Sequence, residues 1–342
     1  MLNLLLLFFL RRFSFSSGFE STYYRSSEVN CTITKFYKSS LLELKWIRIV
    51  DEVSEKSHAW TKGCKVVRED VAQIKTLLGH YEDWKNKSRI EDPLPGSWQQ
   101  EGIMSYFEVN ETCGGVARVM QVPIEPLIGF LRHPAVHCLN TKQSIVDKNY
   151  MFLSNREQII PRLKTQGVVT RFYLFDLGAS LYTSGLGGAS QQWFVEVYRE
   201  RGIEFDRILA WEASKHEPNA IFAEYTKDVA GKVSYFNVPA PMDVNDKMSP
   251  IRMIKTIVRP NDFLVLKIDI DNDPVEIAII KSFIDDPSFT NLIDEFFFEH
   301  HVTNSPMEFL GWGLDPKVNN LTESYDLFVK LRNAGVRAHS WV

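Results

Sequence analysis

The sequence predicts an α/β protein in which a doubly wound, mostly parallel sheet follows an N-terminal mixed, helix-rich extension. Two observations carry this prediction. From residue 165 onward, short apolar runs alternate with amphipathic helical patterns, as in successive βαβ units. The run "DFLVLKIDI" at 262–270 is apolar almost throughout, which suits a strand covered on both faces. A largely parallel sheet is therefore expected in the second half of the chain.

The predicted elements of this sheet follow one another in a regular order. Strands are expected at 168–177, 205–213, 232–238, 262–270, 292–302 and 336–342. Helices are expected at 189–201, 214–225, 273–284 and 324–335. Ser214 is the expected N-cap of the second helix and Pro274 stands early in the third, while Gly202 and Gly335 end the first and the last.

We divide the 342 residues into a candidate targeting segment at 1–28, a helix-rich companion region at 29–150 and the α/β domain at 151–342. The apolar run from Leu4 to Leu10 is far shorter than the roughly 20 residues that span a bilayer. It favours a secretory signal peptide, with an organellar presequence as the alternative. No stable transmembrane span is expected. In the companion region, residues 41–84 have helical spacing.

Cysteines and glycosylation sequons are consistent with a secreted glycoprotein. The four cysteines are Cys31, Cys64, Cys113 and Cys138. They contain no CxxC pair, so a zinc site is not indicated. Their three possible pairings stay open, and four buried thiols are the alternative to disulfides. Sequons begin at Asn30, Asn86, Asn110 and Asn320.

The charge pattern bears on the partners of the protein. The net charge is -4 and there is no long basic run, so a nucleic-acid surface is not indicated. We expect a small-molecule or glycan acceptor as the partner. The sequence does not indicate an oligomeric state.

Polar and small residues stand where the predicted strands end, and ligands of doubly wound sheets bind beyond these carboxyl ends. A glycine there lets the backbone approach a ligand closely, and an acid ending the second strand can accept hydrogen bonds from ribose hydroxyls. The residues in question are Asp176, Gly178 and Ser180 after the first strand, Glu212 after the second, Asn237 after the third, Asp269 and Asp271 after the fourth, and Glu299, His300 and His301 after the fifth.

The stretches "FDLGASLYTSG", "ILAWEAS", "DFLVLKIDID" and "IDEFFFEHH" resemble, in this order, class I S-adenosylmethionine-dependent methyltransferases. The third looks most like the FkbM-like family. The resemblance covers about residues 150 to 342 and implies a Rossmann-like methyltransferase domain with S-adenosylmethionine as cofactor. It implies that Asp176, Gly178 and Ser180 line the methionine side and that Glu212 binds the ribose. Asn237, at the end of the third strand, is also expected to contact the cofactor.

The same resemblance implies that Asp269 lies near the sulfonium and the substrate. For O-methylation of a hydroxyl acceptor, a base would assist removal of the proton, and Asp269, Asp271 and His301 are the candidates. The sequence departs from the family at Leu181 and Tyr182, where small residues are usual, and at Asn272, where glycine is usual.

Two other functions remain open. Asp269-Ile270-Asp271 resembles the DxD motif of glycosyltransferases, in which the two carboxylates hold a divalent metal and a sugar diphosphate. Metal held by Asp269, Asp271 and His301 could also assist methyl transfer. Alternatively, the altered glycine loop indicates a catalytically inactive, methyltransferase-like binding module.

Overall fold

The computed structural model describes residues 19–22, 31–53, 59–86, 102–113, 115–135, 146–154, 171–184, 190–302 and 320–341. Most of the candidate targeting segment, the glycine stretch at 185–189 and Cys138 lie outside these ranges. Within them the protein contains an all-parallel sheet of six strands and a separate antiparallel sheet of four.

The parallel sheet is formed by the second half of the chain, as predicted. Its strands are β5 (Phe172–Leu177), β6 (Arg207–Trp211), β7 (Val233–Phe236), β8 (Phe263–Ile268), β9 (Glu295–Phe298) and β10 (Arg337–Ser340). Their spatial order is β10-β9-β8-β5-β6-β7, so the direction of progression reverses between β5 and β8. The two central strands, β5 and β8, are buried along their whole length. Burial on both faces explains their continuous apolar sequences.

Seven helices connect these strands in the described ranges, and four of them overlap the four predicted helices, whereas those at 227–230, 250–257 and 287–290 were not predicted. The longer ones are α4 (Ser190–Glu200), α7 (Pro250–Ile257), α8 (Asp273–Ile284) and α10 (Leu321–Asn333), and the shorter ones are α5 (Pro218–Ala223), α6 (Lys227–Ala230) and α9 (Pro287–Thr290). Helix α8 has the predicted bounds, because Asn272 caps it and Pro274 occupies its first turn. The predicted cap at Ser214 is wrong: the helix begins at Pro218, whose fixed φ suits a first helical position.

The companion region contains more strand than its sequence indicated. Its helices are α1 (Leu41–Val53), α2 (Ala59–Glu69) and α3 (Val71–Asn86). Its strands are β2 (Cys31–Lys38), β3 (Ser105–Cys113) and β4 (Val116–Ile124). They are joined by β1 (Phe19–Thr22), which lies in the candidate targeting segment, and each of the four strands pairs antiparallel with the next. Polar residues interrupt these strands often enough to hide them in a search for apolar runs.

Buried ion pairs join the companion region to the parallel sheet. Arg332 of α10 lies 3.3 Å from Glu125 and 3.4 Å from Glu43, and both glutamates belong to the companion region. Arg337 of β10 lies 3.0 Å from Glu295 of β9 and donates to the carbonyl of Pro123. The companion region therefore covers the β9–β10 side of the sheet, which would otherwise expose an edge strand.

A single hydrophobic cluster extends through both parts of the chain. It includes Trp46 and Ile74 from the companion helices together with Phe175 and Val265 from the central strands. No helix in the described part of the chain has the length and apolar composition needed to cross a bilayer.

Candidate functional site

The candidate site lies at the carboxyl ends of β5, β6, β8 and β9, around the point where the strand order reverses. Three residues there have left-handed backbone conformations: Gly178 with φ 79°, Ser180 with φ 52° and Asp271 with φ 53°. Positive φ is uncommon for residues other than glycine, and such conformations are frequent at functional sites. Two of these three residues lie in the turn that follows β5.

Gly178 is required by the packing of two neighbouring loops. A Cβ atom at this position would collide with the backbone carbonyl of Asp269, and the positive φ already disfavours a side chain. The close approach that glycine permits is therefore between the turn after β5 and the turn after β8. Its role towards a cofactor stays a prediction.

Glu212 holds the turn after β5 against the end of β6. Its carboxylate accepts hydrogen bonds from the amide of Ser180 at 2.8 Å and from the amide of Ser214 at 2.6 Å. Tyr235 donates to the carbonyl of Ser180 at 2.7 Å and fixes the same turn from β7. Glu212 is half-buried, and each of its oxygens has acceptor capacity left for a further donor.

Asn237 braces the loop that follows Glu212. Its side-chain nitrogen donates to the carbonyls of Glu212 and Ser214, at 2.9 and 2.5 Å, and its oxygen accepts from the amide of His216 at 2.9 Å. Both amide hydrogens are thus used inside the protein. In this conformation Asn237 positions Glu212. Only the side-chain oxygen of Asn237 is left for the predicted contact with a cofactor.

Asp176 is the counter-ion of a buried lysine. Lys267 Nζ lies 3.2 Å from Asp176 Oδ1 and 3.1 Å from Asp269 Oδ2, and it donates to the carbonyl of Gly178 at 2.7 Å. Burial lowers the pKa of Lys267, but the two carboxylates outweigh it and raise that pKa above its usual value. Asp176 has no exposed surface, so the expected lining of the methionine side by this residue is not present in this conformation.

Asp269 connects the lysine to the end of β9. It accepts a hydrogen bond from Trp341 Nε1 at 3.1 Å and shares a hydrogen bond with the carboxyl of Glu299. Burial raises the pKa of Glu299 to about 7, whereas Lys267 holds the pKa of Asp269 below its usual value despite burial. The carboxyl of Glu299 is consequently the one of the pair that holds a proton more readily.

His300 and His301 occupy different environments, as strand alternation predicts. His300 is buried, its Nδ1 lies 2.9 Å from Ser324 Oγ, and burial lowers its pKa to about 3. His301 is half-buried and lies among carboxylates: Nδ1 is 3.3 Å from Asp273, and Nε2 is 3.6 Å from both Asp271 and Glu299.

Asp271, Glu299 and His301 form a cluster whose ligand atoms all lie within 4.8 Å of one another, the one group of metal-ligating type found in the described ranges. Asp269 does not belong to it. Lys267, Trp341 and Glu299 engage the Asp269 carboxylate instead, so the metal alternative that pairs Asp269 with Asp271 stays a prediction.

The companion region contributes charged side chains that the sequence did not assign to the site. Lys148 stacks over Trp341 at 4.8 Å from the ring centroid. Burial and the charge of Lys267 lower the pKa of Lys148 to about 8. Arg132 is buried, donates to the carbonyl of Trp341 at 2.6 Å and interacts electrostatically with Glu299. No local pattern around Lys148 or Arg132 indicates this position.

Other contributors could have been found from the sequence. Lys267 lies two residues before Asp269, so both side chains point to the same face of a buried strand. Glu299 was already named from the sequence as the first polar residue after the fifth strand. Glu276 lies in the first turn of α8, where its Oε1 accepts from the amide of Ile270 at 2.8 Å.

In comparisons with known proteins, no protein-family model, curated protein or solved structure matches the chain. Glu212 lies on one side of the reversal point between β5 and β8, and the acidic cluster after β8 and β9 lies on the other.

Proposed function

We propose that the protein is an S-adenosylmethionine-dependent methyltransferase of Rossmann-like fold that methylates a hydroxyl group. One observation carries the proposal. The carboxylate of Glu212, at the end of β6, is hydrogen-bonded to the turn after β5, directly beside the point where the strand order reverses. Doubly wound sheets bind nucleotide-like ligands at this point, and an acid at the end of the second strand is suited to ribose hydroxyls.

The fit of S-adenosylmethionine to these residues is supported by unused acceptor capacity and by charge. Glu212 keeps acceptor sites beyond its two amide bonds. Asp176 and Asp269 share the single ammonium of Lys267, so these three groups together carry an excess negative charge that would attract a sulfonium cation. When bound, the cofactor would supply an electrophilic methyl group.

The residues of the chain would then act by positioning and by proton transfer. The turn of Gly178 and Ser180 would lie against the cofactor beside Glu212, and Asp269 would face the acceptor. Proton removal from the hydroxyl requires a base at the same strand ends. Asp269, Asp271 and His301 remain the candidates, and the last two lie 3.6 Å apart. Alignment of the acceptor with the methyl group is the larger expected contribution to the rate.

The buried position of Asp176 supports the alternative of an inactive binding module. A carboxylate without exposed surface cannot contact a ligand unless the turn after β5 moves. The DxD glycosyltransferase has less support, because Asp269 is engaged by Lys267 and Trp341 and does not join Asp271 in the metal-ligating cluster.

Calorimetric titration of the full chain with S-adenosylmethionine tests the proposal. We expect one site per chain, and we expect Glu212→Gln to weaken binding at least about tenfold, since it removes the charge from an acceptor of two hydroxyls. Glu200→Gln is the matched control. Glu200 is exposed and ends α4 on the way to the start of β6, away from the carboxyl ends of the strands where the candidate site lies. Absence of binding to the unaltered, folded protein would favour the binding module over the enzyme.

A further inference from the structure

We infer that Asp271, Glu299 and His301 form a binding site for one divalent cation that accepts both oxygen and imidazole nitrogen, of the kind of Mn²⁺ or Zn²⁺. This inference does not depend on the proposed methyl transfer. The three residues come from the turn after β8 and from the end of β9, so the fold brings together ligands that are about 30 residues apart in the sequence.

The first argument is the geometry of the three ligand atoms. His301 Nε2 lies 3.6 Å from Asp271 Oδ1 and 3.6 Å from Glu299 Oε2, longer than normal hydrogen bonds. Metal–ligand distances of about 2.1 Å place neighbouring ligands roughly 3.0 to 3.4 Å apart. Small side-chain adjustments would therefore bring all three atoms onto one ion.

The second argument is the environment of the opposite ring nitrogen. His301 Nδ1 lies 3.3 Å from Asp273 Oδ1, in the first turn of α8. Histidine ligands of metals commonly give their other ring N–H to a carboxylate, which fixes the tautomer with Nε2 as the ligand atom. Asp273 provides this partner on the side away from Asp271 and Glu299.

The third argument is an unsatisfied carboxylate oxygen beside the cluster. Glu276 is fully buried, its Oε1 accepts from the amide of Ile270, and its Oε2 has no hydrogen-bond partner among the described residues. Its side chain interacts electrostatically with the imidazole of His301. Buried polar atoms of this kind are normally satisfied, and a water molecule on the cation would supply a hydrogen-bond partner.

The fourth argument is access together with charge. Asp271 is 73% exposed, while Glu299 and His301 are 11% and 15% exposed, so an ion can enter from the Asp271 side and reach a mostly enclosed position. The carboxyl groups of Asp271, Asp273 and Glu299 lie within 3.6 Å of this one imidazole, and that of Glu276 interacts with it electrostatically. The carboxylate oxygens suit Mn²⁺. The imidazole nitrogen also suits Zn²⁺ and disfavours Ca²⁺.

The test measures Mn²⁺ binding to the chelator-treated full chain, by loss of the electron paramagnetic resonance signal of free Mn²⁺, without any cofactor. We expect one Mn²⁺ per chain. Asp271→Asn should weaken binding at least tenfold, and it should preserve the fold because Asp271 is exposed and asparagine tolerates its positive φ. Glu200→Gln, at an exposed acid away from the carboxyl ends of the strands, should bind Mn²⁺ as the unaltered protein does.

A spectroscopic measurement separates a built site from a surface cluster of acids. Electron spin echo modulation of bound Mn²⁺ should contain a ¹⁴N coupling from His301, and His301→Gln should remove it. Stoichiometric binding without ¹⁴N coupling, equal binding by Asp271→Asn, or no binding to the unaltered protein would each overturn the inference. Titration of Asp271→Asn with S-adenosylmethionine keeps the two proposals distinct, since cofactor binding can persist when the cation site is lost.

Discussion

Lys267 and Asp176 form an ion pair 3.2 Å long that is closed to solvent, with 1% of the lysine side chain and none of the aspartate exposed. They lie on the adjacent central strands β8 and β5, where Asp176 is in register with Lys267. The pair thus ties together the two halves of the sheet at the point where the strand order reverses.

Removing the lysine should destabilise the protein strongly. In Lys267→Met, Asp176 and Asp269 would both lose their cation, and an uncompensated buried charge costs about 3 to 5 kcal/mol. Urea denaturation of the purified protein measures this loss. The double variant Lys267→Met/Asp176→Asn should recover part of it, because the second change removes one of the stranded charges.

The matched control is an exposed ion pair. Lys330 and Asp285 lie 2.6 Å apart, with 54% and 73% of their side chains exposed. Lys330→Met should cost less than about 1 kcal/mol. Equal losses for Lys267→Met and Lys330→Met would contradict the assignment of a stabilising role to the buried pair.

Two glycine substitutions should have effects of opposite sign. Gly178→Ala would force a Cβ into the carbonyl of Asp269 at φ 79°, and we expect it to destabilise the fold by more than about 3 kcal/mol. Gly79→Ala, inside α3, meets no atom within 4 Å and should stabilise the helix by up to about 1 kcal/mol. Thermal unfolding of both variants decides the matter, and a tolerated Gly178→Ala would show that the two turns do not pack as described.

Acid should unfold the protein through two buried glutamates. Burial raises the pKa of Glu125, but His339 and Arg332 lower it further, so it lies below the usual 4.5. Glu295 behaves in the same way, since burial raises its pKa and Arg337 together with the imidazole of His339 lowers it further. Since these pKa values are depressed in the folded state, the stabilisation is present above about pH 4.5 and is lost as the pH falls below it.

Denaturant midpoints measured from pH 7 to pH 3 test this dependence. Each pKa unit of depression corresponds to about 1.4 kcal/mol. Tyr81 and Tyr150 also face Glu125, and they stay neutral throughout this range because burial raises their pKa values. Glu125→Gln should be less stable at pH 7 and should show a shallower decline, whereas an unchanged slope would assign the acid sensitivity to other groups.

The cysteines should pair in one particular way. Cys64 is disulfide-bonded, and the antiparallel register of β2 and β3 places Cys31 directly opposite Cys113. Opposed residues of such strands have Cα atoms about 4.5 to 5.5 Å apart, within the range that a disulfide spans. We expect the pairs Cys31–Cys113 and Cys64–Cys138.

Peptide mapping by mass spectrometry without reduction identifies the pairs, and a reduced digest is the control. Disulfides of this kind are typical of oxidising compartments, so the mapped pairs would also support the predicted secretory route. A peptide that links Cys31 to Cys64 would contradict the pairing, and free thiols at all four positions would argue for a reducing compartment.

The sequence by itself determined the parallel sheet and the strand ends at which its polar residues stand. This was possible because buried strands such as β8 have continuous apolar runs and because α8 has a first-turn proline, both of which are local signals. The antiparallel sheet was missed, since strands such as β3, "SYFEVNETC", alternate with too many polar residues to stand out.

Only the tertiary structure decided which polar residues meet. Asp269 and Asp271 are two positions apart, yet the first pairs with Lys267 and the second lies with His301, because the chain turns at the positive φ of Asp271. Lys148 reaches Trp341 from the other half of the chain, through packing that no local pattern encodes. Contacts between distant segments depend on the summed burial and pairing of the whole fold, so the partner of each charge was fixed only when the strands came together.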